Sequence, residues 1–66
     1  MMVEAVTLRR VYQFFEGHRA AREDRRLFPG VYEREVARLR RLRLRRVELT
    51  DLELGYEAES LRVDVR

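Results

Sequence analysis

In the first half of the chain, apolar residues recur with the period of an α-helix. Spacings of three and four residues place a group of four on one helix face: Leu8, Val11, Tyr12 and Phe15. Thr7 is the predicted N-cap of this helix. The helix is expected to run to about residue 26, or to bend near Gly17, because glycine lowers helix stability. Residues 2–6 precede the cap, and their pattern also allows a short strand.

A second amphipathic helix is predicted after the Pro29-Gly30 pair. Its apolar face consists of Tyr32, Val36, Leu39 and Leu42. Its opposite face carries arginines at spacings of four, three and four: Arg34, Arg38, Arg41 and Arg45. Continuing the helix beyond Leu42 would point Arg43 into the core, and from Leu42 the apolar period becomes two. We therefore predict that the helix ends near Leu42 and that a strand begins there.

The last part of the chain alternates apolar and polar residues, which is typical of β-strands. The apolar residues form two groups: Leu52, Leu54 and Tyr56, then Leu61, Val63 and Val65. A turn at residues 57–60 would place all of them on one face of a hairpin, with Thr50-Asp51 as a bulge or turn ahead of it. An isolated hairpin is marginal in water. A third strand would therefore come from residues 44–49, from residues 2–6, or from a second copy of the chain.

These elements predict a single small α+β domain over residues 1–66, in which two amphipathic helices pack on an antiparallel β-hairpin. The apolar faces of both helices would form the core against the hairpin. Exposed sheet edges favour completion of the fold by dimerisation, through strand addition or helix packing. The candidate oligomer-interface residues lie off the main helix face or in the strand after the second helix: Phe14, His18, Leu44, Val47 and Leu49.

Composition limits what can stabilise so small a domain. The 66 residues include no cysteine and one histidine, so neither a disulfide nor a cysteine–histidine metal centre is expected. A core of this size supplies roughly 3–5 kcal/mol, which indicates self-association or docking on a partner. No signal-peptide pattern is seen, and no stretch approaches the roughly 20 apolar residues of a membrane span. We expect a soluble cytoplasmic protein without contact to membranes.

Residue usage is strongly biased. All 15 basic residues are arginines, and lysine, isoleucine and asparagine are absent. The codons of the missing residues are AT-rich, so the bias indicates a GC-rich genome, and part of the arginine excess reflects coding. The charged fraction of 41% is typical of thermophile surfaces. We therefore expect a thermophilic prokaryotic source.

Charge is distributed unevenly along the chain. Residues 34–46 carry seven arginines and one acid, a net charge of +6, whereas residues 47–66 carry two arginines and six acids, a net charge of −4. The arginine face could bind phosphates, and two helices followed by a hairpin have the outline of a winged helix. Alternatively, these arginines pair with acids of the later segment, namely Glu48, Glu53, Glu57 or Glu59. We favour the second interpretation, because a wing with glutamates at its tip would repel phosphate.

Candidate catalytic groups are few. His18 lies on the apolar side of the first helix, and the hydroxyls of Thr50 and Ser60 are distant along the chain. Four acids lie between residues 51 and 59 without the glycine and spacing of a calcium loop: Asp51, Glu53, Glu57 and Glu59. We expect neither an enzyme nor a bound cofactor or metal.

The leading hypothesis is a small non-enzymatic interaction or assembly module that acts as a homo-oligomer or as a subunit of a larger complex. Its partner would be another copy of the chain or a different protein. The alternative is a nucleic-acid-binding regulator that uses the arginine face of the second helix: Arg34, Arg38, Arg41 and Arg45.

Overall fold

Residues 2–64 form a three-helix fold. The computed structural model describes the backbone of residues 2–64 and the side chains of residues 5–63. Its helices are α1 (Met2–Leu27), α2 (Pro29–Leu44) and α3 (Asp51–Asp64). Within residues 2–64 there is no strand, so the predicted α+β fold is wrong, and dimerisation by strand addition loses its basis.

The main packing contact joins α1 to α3, and two glycines make it close. A Cβ atom on Gly17 would overlap the carbonyl oxygen of Leu52 and lie 2.8 Å from its carbonyl carbon. Reciprocally, a Cβ atom on Gly55 would overlap the carbonyl oxygen of Phe14 and lie 2.7 Å from its carbonyl carbon. The two helix backbones therefore touch directly, which residues with side chains would prevent.

A small core forms where α2 covers the α1–α3 pair. The buried apolar residues come from all three helices and from the segment before α3: Ala21, Tyr32, Val36, Leu39, Leu49 and Tyr56. The predicted burial of the second helix through Tyr32, Val36 and Leu39 is confirmed. The rings of Tyr32 and Tyr56 lie 6.1 Å apart between centroids.

A single residue, Phe28, separates α1 from α2. Pro29 occupies the first turn of α2, where its missing N–H costs no hydrogen bond. The Phe28 backbone N–H donates to the Asp24 carbonyl oxygen at 2.6 Å, and the Tyr32 N–H donates to the Phe28 carbonyl oxygen at 3.0 Å. The chain therefore changes direction with little loss of backbone hydrogen bonding.

The predicted helix-to-strand change at Leu42 is wrong, because α2 continues to Leu44 and ends in a capped turn. The N–H of Arg46 donates to the Arg43 carbonyl oxygen at 3.0 Å, and the N–H of Val47 donates to the Leu42 carbonyl oxygen at 2.9 Å. This pair of bonds is the Schellman arrangement, and Arg46 takes its left-handed position with φ of 59°. Residues 45–50 then connect α2 to α3.

The predicted hairpin over residues 52–65 is a helix instead, apart from Val65, which lies outside the described residues. Thr50 and Glu53 form a reciprocal capping box at its start. The Thr50 N–H donates to the Glu53 carboxylate at 2.9 Å, and the Glu53 N–H donates to the Thr50 hydroxyl at 3.2 Å. Thr50-Asp51 is therefore a helix start, not a bulge, and the expected turn at residues 57–60 is helix interior.

In α1 the predicted cap and core face are wrong. Residues 2–6 are helical, which places Thr7 inside the helix, and the helix passes through Gly17 without interruption to Leu27. The side buried against the rest of the molecule carries Gly17 and Ala21. The apolar residues predicted to enter the core remain exposed: Leu8, Val11, Tyr12 and Phe15.

Candidate interaction surfaces

Every acid from residue 51 to residue 59 is paired with an arginine. On α2, Arg38 donates to Glu53 at 2.8 Å and Arg43 donates to Glu57 at 2.8 Å. On α1, Arg10 donates to Asp51 at 3.3 Å and Arg25 donates to Glu59 at 3.0 Å. The acids of α3 therefore form ion pairs within the chain, with arginines of both α1 and α2.

Glu59 is the centre of the densest charge cluster. Its side chain is fully buried (0% exposed), and its carboxylate accepts hydrogen bonds from Arg25 at 3.0 Å and from Arg62 at 2.8 Å. His18 Nδ1 lies 2.8 Å from one carboxylate oxygen, and Arg22 lies 3.9 Å from the same oxygen. Hydrogen bonding from Arg62 is the main cause that lowers the pKa of Glu59 to about 2, with Arg25 adding to it against the cost of burial.

Tyr56 and Asp24 add a second polar contact between α3 and α1. The Tyr56 hydroxyl donates to the Asp24 carboxylate at 2.9 Å. Burial, and then this hydrogen bond, raise the pKa of Tyr56 well above its ordinary value. The tyrosine therefore stays neutral and donating at any physiological pH.

The potential catalytic groups are engaged in structural contacts. His18 faces Glu59, while Ser60 donates to the Glu57 backbone carbonyl oxygen at 2.7 Å, and Thr50 caps α3. Among the described residues, no three histidine or acidic side chains are arranged to hold a metal ion. In these contacts, neither the Ser60 hydroxyl nor the Thr50 hydroxyl is hydrogen-bonded to His18, as a nucleophile and its general base would be.

The arginine face predicted on α2 divides into two groups. Arg38 donates to Glu35 at 2.7 Å and also pairs with Glu53; these hydrogen bonds raise its pKa. Within the described part of the chain, the other three have no carboxylate within ion-pair distance and lie exposed: Arg34, Arg41 and Arg45. We call these three the free arginine face.

The apolar residues of α1 that miss the core form a continuous exposed patch. Their exposed fractions are large: Leu8 69%, Val11 46%, Tyr12 63% and Phe15 61%. They lie on the side of the helix away from Gly17 and Ala21, as the helical period of 3.6 residues requires. We call these four residues the α1 apolar face.

The candidate oligomer-interface residues fall in three environments. Phe14 and His18 are partly buried, with ring centroids 5.9 Å apart. Leu44 is 84% exposed and Val47 is also exposed, both at the α2–α3 connection. Leu49 is buried in the core. The structure therefore does not gather these five residues on one surface.

Sequence reasoning missed the glycine crossing and the Glu59 cluster. Gly17 was considered only as a residue that lowers helix stability, whereas a glycine in each helix is what lets the two backbones approach this closely. The Thr50-x-x-Glu53 pattern is a capping-box signal, and it predicts a helix rather than a hairpin for residues 51–64. With that helix in place, Glu59 would have fallen one turn after Gly55, on the side facing α1.

Comparison with protein-family models, with characterised proteins and with solved structures gave no match for this chain. Among the described residues, no helix has the length and apolar character needed to cross a membrane. The surfaces described above are therefore the basis for any functional proposal.

Proposed function

We propose that the protein is a non-enzymatic assembly module that self-associates through the α1 apolar face. The observation that carries this proposal is the exposure of four large apolar side chains on two successive turns of one helix. Monomeric proteins rarely leave a contiguous apolar patch of this kind open to water. The predicted cytoplasmic location is part of the proposal and stays a prediction.

The total accessible surface area supports a second copy of the chain as the partner that covers the α1 apolar face. The accessible surface is 5608 Å², whereas a folded monomer of 8.1 kDa is expected to expose about 4,500 Å². The excess of about 1,100 Å² is comparable to the roughly 800 Å² that each partner contributes to a standard protein interface. One interface with a like partner would bring the exposed surface to an ordinary value.

Placing a charge on this face is expected to weaken self-association strongly without unfolding the chain. Leu8→Glu and Tyr12→Glu should each raise the dissociation constant about 30-fold or more, because a carboxylate without a partner would be buried in the interface. Sedimentation of the variants at micromolar concentration, with helix content followed by circular dichroism, measures this effect.

Leu44→Glu is the matched control, since Leu44 is the most exposed large apolar residue and lies on α2. It should leave self-association unchanged. Loss of association in Leu44→Glu alone would move the interface to the α2–α3 connection. An unmodified chain that stays monomeric at several hundred micromolar would overturn the proposal.

Nucleic-acid binding is a second candidate function, favoured by the free arginine face. Arg34, Arg41 and Arg45 are exposed and have no carboxylate partner among the described residues. If they contact phosphates, log K for random duplex DNA should fall with log salt concentration at a slope of about −0.9 for each contact.

Changing all three to glutamine should then remove most of that slope, by about one unit for each arginine. Arg38→Gln is the control, because Arg38 is already paired with Glu35 and Glu53 and should affect stability rather than affinity. Absence of binding at low salt would eliminate this candidate.

A further inference from the structure

Resting on the proposed self-association, we infer that α1 packs antiparallel against α1 of a second copy, with the symmetry axis near residues 11 and 12. Leu8 of one copy then meets Phe15 of the other, and Val11 and Tyr12 meet across the axis. Each large side chain of the α1 apolar face is covered by one from the second copy. The arrangement uses the same surface on both copies, as a two-fold interface requires.

The antiparallel direction of packing follows from the residues that extend the line of the α1 apolar face toward the C-terminus of α1. Beyond Phe15, this side of α1 carries one acid at its edge, Glu23, and three arginines at spacings that keep them in line with the apolar face: Arg19, Arg22 and Arg26. Arg19 and Arg22 have side chains that are 73% and 63% exposed. The apolar half of the face therefore leads into a basic half.

Parallel packing would set each of these arginines against its own equivalent, at the interhelical distance of about 10 Å. Antiparallel packing instead separates the two Arg22 residues by about 30 Å along the axis, from a rise of about 1.5 Å per residue. That distance is almost four times the Debye length of about 8 Å at physiological salt, whereas the parallel separation is little more than one Debye length, so the repulsion is screened far more strongly in the antiparallel pair. Only the antiparallel direction buries the apolar half without stacking like charges.

One flank of the α1 apolar face carries opposite charges that also favour antiparallel packing. Arg9 and Glu16 each follow a residue of the face, and their spacing of seven places them on the same flank. In an antiparallel pair, this flank of one α1 lies beside the same flank of the other. Arg9 of one copy therefore faces Glu16 of the other, and the two-fold symmetry produces this pair twice. Arg9 is exposed and has no ion pair among the described residues, and Glu16 has only Arg19 at 3.8 Å.

Cysteine cross-linking tests the direction cleanly, because the chain contains no cysteine. Leu8→Cys and Phe15→Cys are prepared separately and as an equimolar mixture in a glutathione redox buffer, and the disulfide-linked species are identified by mass. We expect a mixed disulfide that joins one chain of each variant in the mixture, and little linkage in either variant alone. Along the axis, equal positions would be about 10 Å apart, beyond the roughly 7 Å limit between Cα atoms.

A charge exchange provides a second measurement that leaves the apolar face intact. Arg9→Glu and Glu16→Arg should each weaken self-association about tenfold, as expected when two exposed ion pairs become like-charge pairs. The double variant should return to within about twofold of the original dissociation constant. Arg41→Glu makes the same charge change on α2 and should have no effect.

The outcomes separate this inference from the function on which it rests. Same-residue disulfides in each variant alone would overturn the antiparallel direction while leaving self-association intact. Association without cross-linking, and without recovery in the double variant, would exclude this pairing of α1. A monomeric unmodified chain would overturn the inference and the proposed function together.

Discussion

Replacing Gly55 by alanine is expected to remove most of the stability of the fold. The added Cβ would overlap the carbonyl oxygen of Phe14 and lie 3.0 Å from the backbone nitrogen of His18. Both atoms belong to the backbone of α1, so no side-chain rotation can make room. The helices must separate, and because backbone atoms block the added Cβ, the cost should lie at the upper end of the roughly 1–3 kcal/mol typical of overpacking. That cost is comparable to the roughly 3–5 kcal/mol that the whole core of so small a domain supplies.

Gly17→Ala should have a similar effect from the other side of the crossing. Its Cβ would overlap the carbonyl oxygen of Leu52 and lie 2.9 Å from the backbone nitrogen of Tyr56. Because both substitutions force the same separation of α1 from α3, their combined cost should be less than the sum of the single costs. This non-additivity distinguishes a shared backbone crossing from two independent losses.

Gly30→Ala is the matched control for both variants. No described atom lies within 4 Å of the position that its Cβ would occupy, and the residue is in the first turn of α2. Alanine there should be neutral or stabilise the chain by up to about 1 kcal/mol, through its helix propensity. Urea unfolding followed by circular dichroism, at one fixed protein concentration, measures the unmodified chain, the three single variants and the double variant. Equal midpoints for Gly55→Ala and Gly30→Ala would contradict the close crossing.

The hairpin was mispredicted because alternation over a few residues fits both periods. Leu52 and Tyr56 alternate with polar residues, yet they are also four apart and share a helix side. The buried side of α3 includes Gly55, Glu59 and Ser60, so a search for apolar residues cannot find its helical period. The local signals favoured a helix: a capping box at Thr50, and a proposed turn made of good helix formers.

The first helix shows a different limit of pattern reading. The spacing of the α1 apolar face correctly predicted a helix, but a pattern cannot say what covers the face. The chain uses the opposite side for its own packing, because glycine and alanine allow closer approach than leucine and phenylalanine. The apolar residues were therefore assigned to the core, although they are exposed in the structure.

The charge asymmetry was informative about which segments interact. A basic segment followed by an acidic one was expected to favour internal pairing, and Arg38 and Arg43 do contact Glu53 and Glu57. The contribution of α1 was not predictable, since Arg25 reaches Glu59 only when residues 51–64 form a helix. Partners at a separation of 34 residues depend on the packing of the helices, not on local sequence.

Acid should destabilise the fold through Glu59. The pKa of this carboxyl is lowered from 4.5 to about 2 in the folded chain, so the unfolded chain binds its proton more tightly. The stabilisation is therefore complete above about pH 4.5 and is lost as the pH falls through about 2. A shift of this size corresponds to roughly 3 kcal/mol at neutral pH. The groups that face the carboxylate are His18, Arg22, Arg25 and Arg62.

Glu59→Gln should bring the same loss at pH 7, because the amide keeps the volume but leaves three arginines around a neutral group. Their partly exposed guanidinium groups remain hydrated, which keeps the cost near roughly 3 kcal/mol, the lower end for breaking a buried pair. The variant should also lose the part of its pH dependence that lies between pH 4.5 and pH 2, whereas the unmodified chain keeps it. Urea unfolding at a series of pH values measures both effects.

Glu48→Gln makes the same charge change at an exposed residue without an ion pair among the described residues. It should change stability by less than about 0.5 kcal/mol. Other carboxyls titrate in the same range, and the pKa of Glu53 is also lowered, by hydrogen bonds from Thr50 and Arg38. The relevant quantity is therefore the difference between the Glu59→Gln and Glu48→Gln curves. If the two curves stay parallel from pH 7 to pH 2, the Glu59 carboxylate does not hold α3 to α1.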